Sequence, residues 1–310
     1  MEKTKIICVV GATASGKTAL AIEMAKKFNG EIISADSRQI YRRLDIGTNK
    51  DLSDYGQIKY HLIDIAPPGE KFTLFDWKDR AEKAIREITK RGKLPIIAGG
   101  TGLYVQSLIE GFCQQKSKIK NQNDNLKIKK YKRSDLDRKI LKELQEIYNK
   151  IKISETKIDL NNPRRVIRAI ERAQEGSLAT RETPNFEVLQ IAIDLPRLYL
   201  YEKIDKNVEK WFENGFLEEV RGLVESGVDL NWLKSIGLNY RLVSEFITNA
   251  EWSENDLEKL KQNIKYKTHA LARRQLTWFR RFGDIKWVKN REEAKQLIEK
   301  FLKYHHSYLQ

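Results

Sequence analysis

Gly11-Ala12-Thr13-Ala14-Ser15-Gly16-Lys17-Thr18 is the stretch on which the reading of the chain turns. The apolar run Lys5–Val10 precedes it and reads as a buried strand, and Thr18–Phe28 carries apolar residues at helical spacing. Strand, loop and helix in that order are the context that the pattern G-x-x-x-x-G-K-[ST] requires. Glycines let the backbone curl until successive N–H groups face one anion. The helix N-terminus adds about half a positive charge. Lys17 supplies a point charge, and the Thr18 hydroxyl is the candidate Mg²⁺ ligand. All eight residues, Gly11 to Thr18, are therefore candidates for holding a diphosphate or triphosphate; the motif does not say which.

Working outward, Glu31–Ser34 reads as a second strand that leads into Ala35-Asp36-Ser37, and Leu62–Ile65 as a third. Thr73 is placed to cap a helix running to Arg91, which Gly92 stops. Leu94–Ala98 is another strand, followed by Gly99-Gly100-Thr101-Gly102 and a helix from Leu103. Strands alternating with helices predict an α/β fold, a parallel sheet with helices on both faces. In such a sheet the P-loop, Asp36 and Thr101 share the carboxyl edge, where ligands bind. Asp36 is suited to take a proton from a nucleophile, with a helix cap or metal support as its plainer roles. Gly99–Gly102 is either a third wall for an anion or a tight turn. Asp36 and Asp64 are the candidates for a metal-holding acid; neither follows four consecutive apolar residues, which disfavours a motor-type ATPase.

Beyond Gly111 the character changes. Lys116–Arg133 is lysine-rich with almost no apolar periodicity, and reads as an exposed loop or a disordered linker. One helix is predicted over Ser134–Lys152, and Asn162-Pro163 opens another to Gln174. The segment 113–157 is thus expected as a helical, lysine-rich insertion in a core formed by 1–112 and 158–310. Leu189–Leu195 returns to strand character, and the remainder is mostly helical. Ser253 with Asp256 forms a capping box for a long helix through Arg280.

Lys and Arg number 58 against 43 Asp and Glu, a net charge of +15 that favours a polyanionic partner over a neutral one. A basic host proteome would give the same balance. The lysines of the loop, Lys116, Lys118, Lys120, Lys127, Lys129, Lys130 and Lys132 with Arg133, are candidates for RNA phosphates or for a solvated face. Arg273, Arg274, Arg280 and Arg281 are placed likewise on the last long helix, and Trp278 and Phe279 between them read as core rather than as base-stacking platforms. Cys8 and Cys113 form no CxxC pair, so neither a disulfide framework nor a zinc site is expected, and a reducing, cytoplasmic compartment is. The short apolar N-terminal run leads into a glycine loop and reads as a strand rather than as a signal peptide, and no segment reaches the ~20 apolar residues of a membrane span.

Several further stretches carry a resemblance. Ser34-Ala35-Asp36-Ser37-Arg38-Gln39-Ile40-Tyr41, Leu44-Asp45-Ile46-Gly47-Thr48, His61-Leu62-Ile63-Asp64, Arg91-Gly92-Lys93-Leu94-Pro95-Ile96-Ile97, Gly99-Gly100-Thr101-Gly102-Leu103-Tyr104 and Arg273-Arg274-Gln275-Leu276-Thr277-Trp278-Phe279-Arg280 resemble, in order, the motifs of the tRNA dimethylallyltransferases. The resemblance implies a P-loop fold with a helical insertion and a channel that admits adenine from one side and dimethylallyl diphosphate from the other. It implies transfer of the dimethylallyl group to the exocyclic amine of the adenosine 3′ of the anticodon. Asp36 would accept the proton, Thr101 assist near the leaving oxygen, and Lys17 with the loop amides and Mg²⁺ hold the diphosphate. Asp36, Ser37, Arg38 and Gln39, with Thr101, would contact the target adenosine. Asn161, Asn162, Pro163, Arg164 and Arg165 would contact the anticodon stem-loop, as would Arg273, Arg274 and Gln275. A monomer is expected.

The chain departs from the family pattern in three places. Ala12 stands where proline is usual. The run Leu160-Asn161-Asn162-Pro163-Arg164-Arg165 replaces Pro-Asn-Asp before the arginines. A pair of arginines is represented by Lys203 and Asn207, neither equivalent to a bidentate guanidinium, so both stay outside the expected catalytic set. Other readings remain open: a prenyltransferase acting on free adenylate, a small-molecule kinase, and a non-catalytic RNA-binding module.

Overall fold

Strand β1 (Thr4–Val10) sits inside a six-stranded sheet, and its residues alternate between two cores. Ile6, Cys8 and Val10 enter one, while Ile7 and Val9 enter the other. That period of two, with both faces apolar, is what a strand covered on both sides needs. The computed structural model describes residues 3–116, 131, 133–151, 158–175, 177–248 and 251–303. After β1 come α1 (Lys17–Lys27), β2 (Gly30–Ser34), β3 (Tyr60–His61), α2 (Leu74–Lys90), β4 (Leu94–Gly99) and α3 (Gly102–Ile109).

A second group follows: β5 (Phe112–Lys116), α4 (Arg133–Asp137), α5 (Leu141–Lys150), α6 (Pro163–Glu175) and β6 (Ser177–Arg181). The chain then returns through β7 (Phe186–Ile193), α7 (Arg197–Glu213), α8 (Phe216–Glu225), α9 (Leu230–Ile236), α10 (Leu238–Ile247), α11 (Glu254–Phe279), β8 (Ile285–Val288) and α12 (Arg291–Lys303). Two compact units result, one of Met1–Ile109 with Pro184–Gln310, the other Glu110–Thr183. The second unit is wider than the expected 113–157 segment, because α6 packs with α4 and α5 around Leu136, Leu144, Val166 and Ile170.

In the first unit the sheet order is β3-β2-β4-β1-β7-β8, and every pairing is parallel. The α/β class and the P-loop architecture hold. Val10 pairs in register with Gly99 on one side and Ala192 on the other, so β1 and β4 end level and β7 one residue beyond them. The loops after these strands therefore emerge side by side. Thr73 caps α2 as expected, in a capping box completed by Asp76, and Ser253 and Asp256 form the expected capping box of α11.

Two expected elements differ. Leu62–Ile65 is not a strand: Leu62 and Asp64 take φ of 61° and 55°, which breaks extended pairing, and the edge strand is Tyr60–His61 beside Ile32 and Ile33. The single helix over Ser134–Lys152 is two, because Ile140 is extended and its N–H is held by the Glu143 carboxylate at 3.0 Å, which starts α5 afresh. The ribbon β5–β6 and strand β8 carry no strong sequence signal. Among the described residues, no helix is long and apolar enough to cross a membrane.

Candidate active site

The loop between β1 and α1 is tightly wound. Ala14 and Gly16 both have positive φ, at 61° and 83°, and the Ser15 N–H donates to Ala12 O at 3.3 Å. Lys17 Nζ donates to the same carbonyl at 3.3 Å. Burial lowers the Lys17 pKa, and the charge of Asp36 opposes that shift. The Ser15 hydroxyl is buried with no partner. A buried orphan oxygen beside a lysine and a helix N-terminus is a cradle with capacity left for an anion. Thr18 lies half-buried in the first turn of α1.

The loop after β4 is pressed against the end of β2. Thr101 N–H donates to Ala35 O at 3.1 Å, and Ala35 N–H to Ala98 O at 2.8 Å. A Cβ on Gly99 would collide with the Ala35 backbone, so this approach requires glycine. The Thr101 hydroxyl accepts from Ser37 N–H at 3.1 Å. Asp36 Oδ1 accepts from Arg38 N–H at 2.9 Å, an Asx-type turn that fixes the carboxylate on its loop. Gln39 accepts from the Ser34 hydroxyl at 3.2 Å and donates to Thr48 O at 3.4 Å.

Gln275 on α11 joins the two glycine loops. Its Oε1 accepts from Thr13 N–H at 2.9 Å, and its Nε2 donates to Gly100 O at 3.1 Å. Lys17, Asp36, Arg38, Gly100 and Gln275 line one narrow cavity, closed by Gly47, Thr48, Asn49 and Asn239. It encloses about 50 Å³, roughly one or two waters, so a purine enters only as side chains give way.

Two wider clefts adjoin. One of about 670 Å³ is lined by Ser15 and Gly16 of the loop, with Leu195, Tyr199, Lys203 and Arg291. Lys203, set aside on sequence grounds, thus faces the phosphate loop's own cleft, its ammonium 4.7 Å from the Tyr199 ring centre. Asn207 lies a turn further along α7. The other cleft, about 820 Å³, is lined by Arg197, Arg273, Arg274, Arg280 and Arg281. Among the described residues, the one carboxylate paired with these arginines is Asp194, 3.7 Å from Arg280, while Arg273 donates to the Tyr201 hydroxyl at 2.9 Å. Phe279 is buried, and half-buried Trp278 packs against the same core.

The expected site residues divide between the two units. Asn161, Asn162, Pro163, Arg164 and Arg165 belong to the second unit, at the start of α6, where the Asn162 side chain accepts from Arg165 N–H at 3.4 Å. Pro163, Arg164 and Arg165 are exposed there. Asp64 is no rival to Asp36: it pairs with buried Lys50, which also holds Asp45 at 2.5 Å. Lys118, Lys120, Lys127, Lys129, Lys130 and Lys132 lie outside the described residues, as do the side chains of Lys116 and Arg133. Sequence reasoning missed Asn239, Trp211 and Glu219, which shape the cavity's far wall; each is distant in sequence and belongs to no motif pattern.

Known proteins resemble the chain closely. The family model described as IPP transferase matches residues 39–282, and one described as isopentenyl transferase matches 4–56. A tRNA dimethylallyltransferase of Staphylococcus epidermidis is 40% identical over 308 residues, covering 96% of this chain and 90% of the relative. One of Streptococcus pyogenes is 40% identical over 281 residues, covering 90% and 89%. The crystal structure of a Staphylococcus epidermidis tRNA delta(2)-isopentenylpyrophosphate transferase superposes with a TM-score of 0.67 at 37% identity, covering 96% of this chain and all of that one.

Proposed function

The chain belongs to the IPP transferase family, and from that premise we propose that it transfers a dimethylallyl group from dimethylallyl diphosphate to the exocyclic amine of the adenosine 3′ of the tRNA anticodon. Its activity is that of a tRNA prenyltransferase. The observation that carries the finer reading is the shared cavity of Lys17 and Asp36, which brings an anion-holding loop and a carboxylate to one space.

The loop amides and Lys17 hold the diphosphate. A lysine with a burial-lowered pKa still gains from an anion, since the diphosphate replaces the water it has lost. As the allylic carbon–oxygen bond breaks, negative charge grows on the departing diphosphate, and these fixed donors neutralise it where it develops. Asp36 takes the proton released from the adenine nitrogen as the new carbon–nitrogen bond forms. Thr101, whose hydroxyl accepts from Ser37 N–H beside Asp36, assists near the leaving oxygen. The adenine leaves its stack to enter, which costs a few kcal/mol and less in a single-stranded loop than in a duplex.

The residues fit a Mg²⁺ held through the diphosphate. Among those described, no cluster of three or more carboxylates, imidazoles or thiolates is available. The Thr18 hydroxyl, diphosphate oxygens and water are the natural ligand set for that ion. When bound, Mg²⁺ adds Lewis-acid neutralisation of the leaving group. The arginine cleft and the exposed start of α6 offer charge for the RNA backbone, and we place the reaction in the cytoplasm, where tRNA is.

The test uses purified protein, Mg²⁺ and labelled dimethylallyl diphosphate with unmodified tRNA and, separately, AMP. Label is expected in tRNA and not in AMP. Asp36→Asn is expected to lose roughly 10²–10⁴ in kcat while still binding both substrates. Label in AMP alone would assign the free-adenylate activity instead, and full activity in Asp36→Asn would remove it as the base.

A further inference from the structure

The far wall of the cavity is a short loop, Asp45 to Asn49, and an unusual concentration of hydrogen bonds anchors it from behind. Glu219 on α8 accepts from Asp45 N–H at 2.8 Å and from Ile46 N–H at 2.7 Å through Oε2. Its Oε1 takes Gly47 N–H at 3.4 Å and the Tyr240 hydroxyl at 2.6 Å. Three consecutive backbone donors and one phenol thus converge on a single carboxylate. The other face of the same loop presents Gly47, Thr48 and Asn49 to the space that holds Asp36.

The remaining contacts lock the loop in place. Asn239 Nδ2 donates to Gly47 O at 3.0 Å, and Trp211 Nε1 to Asn49 Oδ1 at 3.3 Å. Phe216 and Tyr240 fill the volume that a Cβ on Gly47 would need. Burial, then the charge of Glu219, raises the Tyr240 pKa well above the usual phenol, so the hydroxyl stays a donor. On the cavity side, Thr48 O receives Gln39 Nε2, which connects the loop to the stretch after Asp36. The phosphate loop is held separately, by Gln275.

We propose that Glu219 and Tyr240 are positioning residues for the acceptor nucleoside: they set the wall against which the adenosine is held for Asp36, and they do not act on the prenyl diphosphate. This rests on the proposed function, in which the shared cavity takes the diphosphate on its Lys17 side and the adenosine on the side of Asp36 and the Gly47–Asn49 wall. The geometry separates two jobs: one strap, Gln275, fixes the donor's loop, and the Glu219–Tyr240 anchor fixes the acceptor's wall. A merely structural anchor would affect both substrates alike.

The experiment compares Tyr240→Phe and Glu219→Gln with wild type in three measurements: amide hydrogen exchange at Asp45, Ile46 and Gly47, the KM for an anticodon stem-loop RNA, and the KM for dimethylallyl diphosphate. Ile298→Ala, in the core on the other face of the sheet, serves as the control at matched loss of melting temperature. Exchange at the three amides is expected to accelerate, and the RNA KM to rise about tenfold in Glu219→Gln and less in Tyr240→Phe, with the diphosphate KM within about twofold. The control is expected to move neither KM. Equal rises in both KM values, or faster exchange with an unchanged RNA KM, would overturn the proposal. Tyr240→Phe, which loses one hydroxyl, decides the matter if Glu219→Gln does not fold. If wild type labels no RNA, the acceptor assignment itself fails, while exchange still reports on the anchor.

Discussion

Gln275 Oε1 accepts a hydrogen bond from Thr13 N–H while its Nε2 donates to Gly100 O, so one side-chain amide bridges the loops after β1 and β4. Sequence reasoning placed Gln275 among the RNA contacts; in the structure both ends of its amide are engaged by backbone. Gln275→Ala leaves a donor and an acceptor without partners, a loss of about 1–3 kcal/mol. The expected outcome is a raised KM for dimethylallyl diphosphate and a lower kcat, with RNA affinity retained. Gln275→Glu is expected to be worse for the diphosphate, because a carboxylate oxygen then faces Gly100 O and the incoming anion. Steady-state kinetics with each substrate varied in turn check both.

Gly99→Ala tests the junction of β2 and β4. The new methyl has nowhere to go but into the Ala35 backbone. Overpacking of this kind costs about 1–3 kcal/mol. Thermal unfolding is expected at a lower temperature, and activity below what the lost stability accounts for, because Asp36 and Thr101 both hang from the displaced backbone.

Glu31 is buried at the start of β2 and is gripped by Arg91 at 2.6 Å, His61 at 2.7 Å and Lys93 at 3.3 Å. Burial alone would raise its pKa; hydrogen bonds from Arg91, His61 and Lys93 and the Arg91 charge overcome that and hold it at about 2, below the ordinary 4.5. A carboxylate with a depressed folded pKa stabilises above its unfolded value and loses that contribution as pH falls. The window therefore runs from about pH 4.5 down to about pH 2. Glu31→Gln is expected to unfold more easily at neutral pH, by up to about 3 kcal/mol, with the gap to wild type closing across that window. Urea titrations at several pH values measure it.

Arg274 and Arg281 line the basic cleft, and neither has a carboxylate partner among the described residues. If RNA phosphates fill it, Arg274→Gln with Arg281→Gln is expected to lower the slope of log K against log salt by roughly 0.7–0.9 for each phosphate no longer neutralised. The kcat at saturating RNA is expected to be unchanged. An unaltered slope would move the RNA path elsewhere.

The local elements were legible because their causes are local. The phosphate loop, the Thr73 and Ser253 caps and the Asn162-Pro163 helix start each depend on residues within a few positions of one another. The strand pairing Thr4 with Phe186 was not, since a parallel partner so far along the chain leaves no mark on either segment. The misplaced edge strand has a clear physical reason: Leu62 and Ile63 look apolar enough for β structure, but left-handed residues at Leu62 and Asp64 turn them into the core as a coil. In the site, Asp36 and Lys17 could be matched to motifs. Glu219 could not, because a lone glutamate on an amphipathic helix looks like any solvated charge until the Asp45–Gly47 amides are seen around it.

The second unit begins and ends at one place: Phe112 pairs with Arg181, and Glu182 N–H donates to Gly111 O at 2.8 Å. A segment whose two ends are clasped together behaves as a cassette. It can be lengthened, trimmed or exchanged in evolution without rerouting the chain on either side, provided the clasp survives. Between α3 and β7 the host needs only a short return, so this segment is free to drift in length and sequence while the phosphate loop and Asp36 remain under their own, separate constraints.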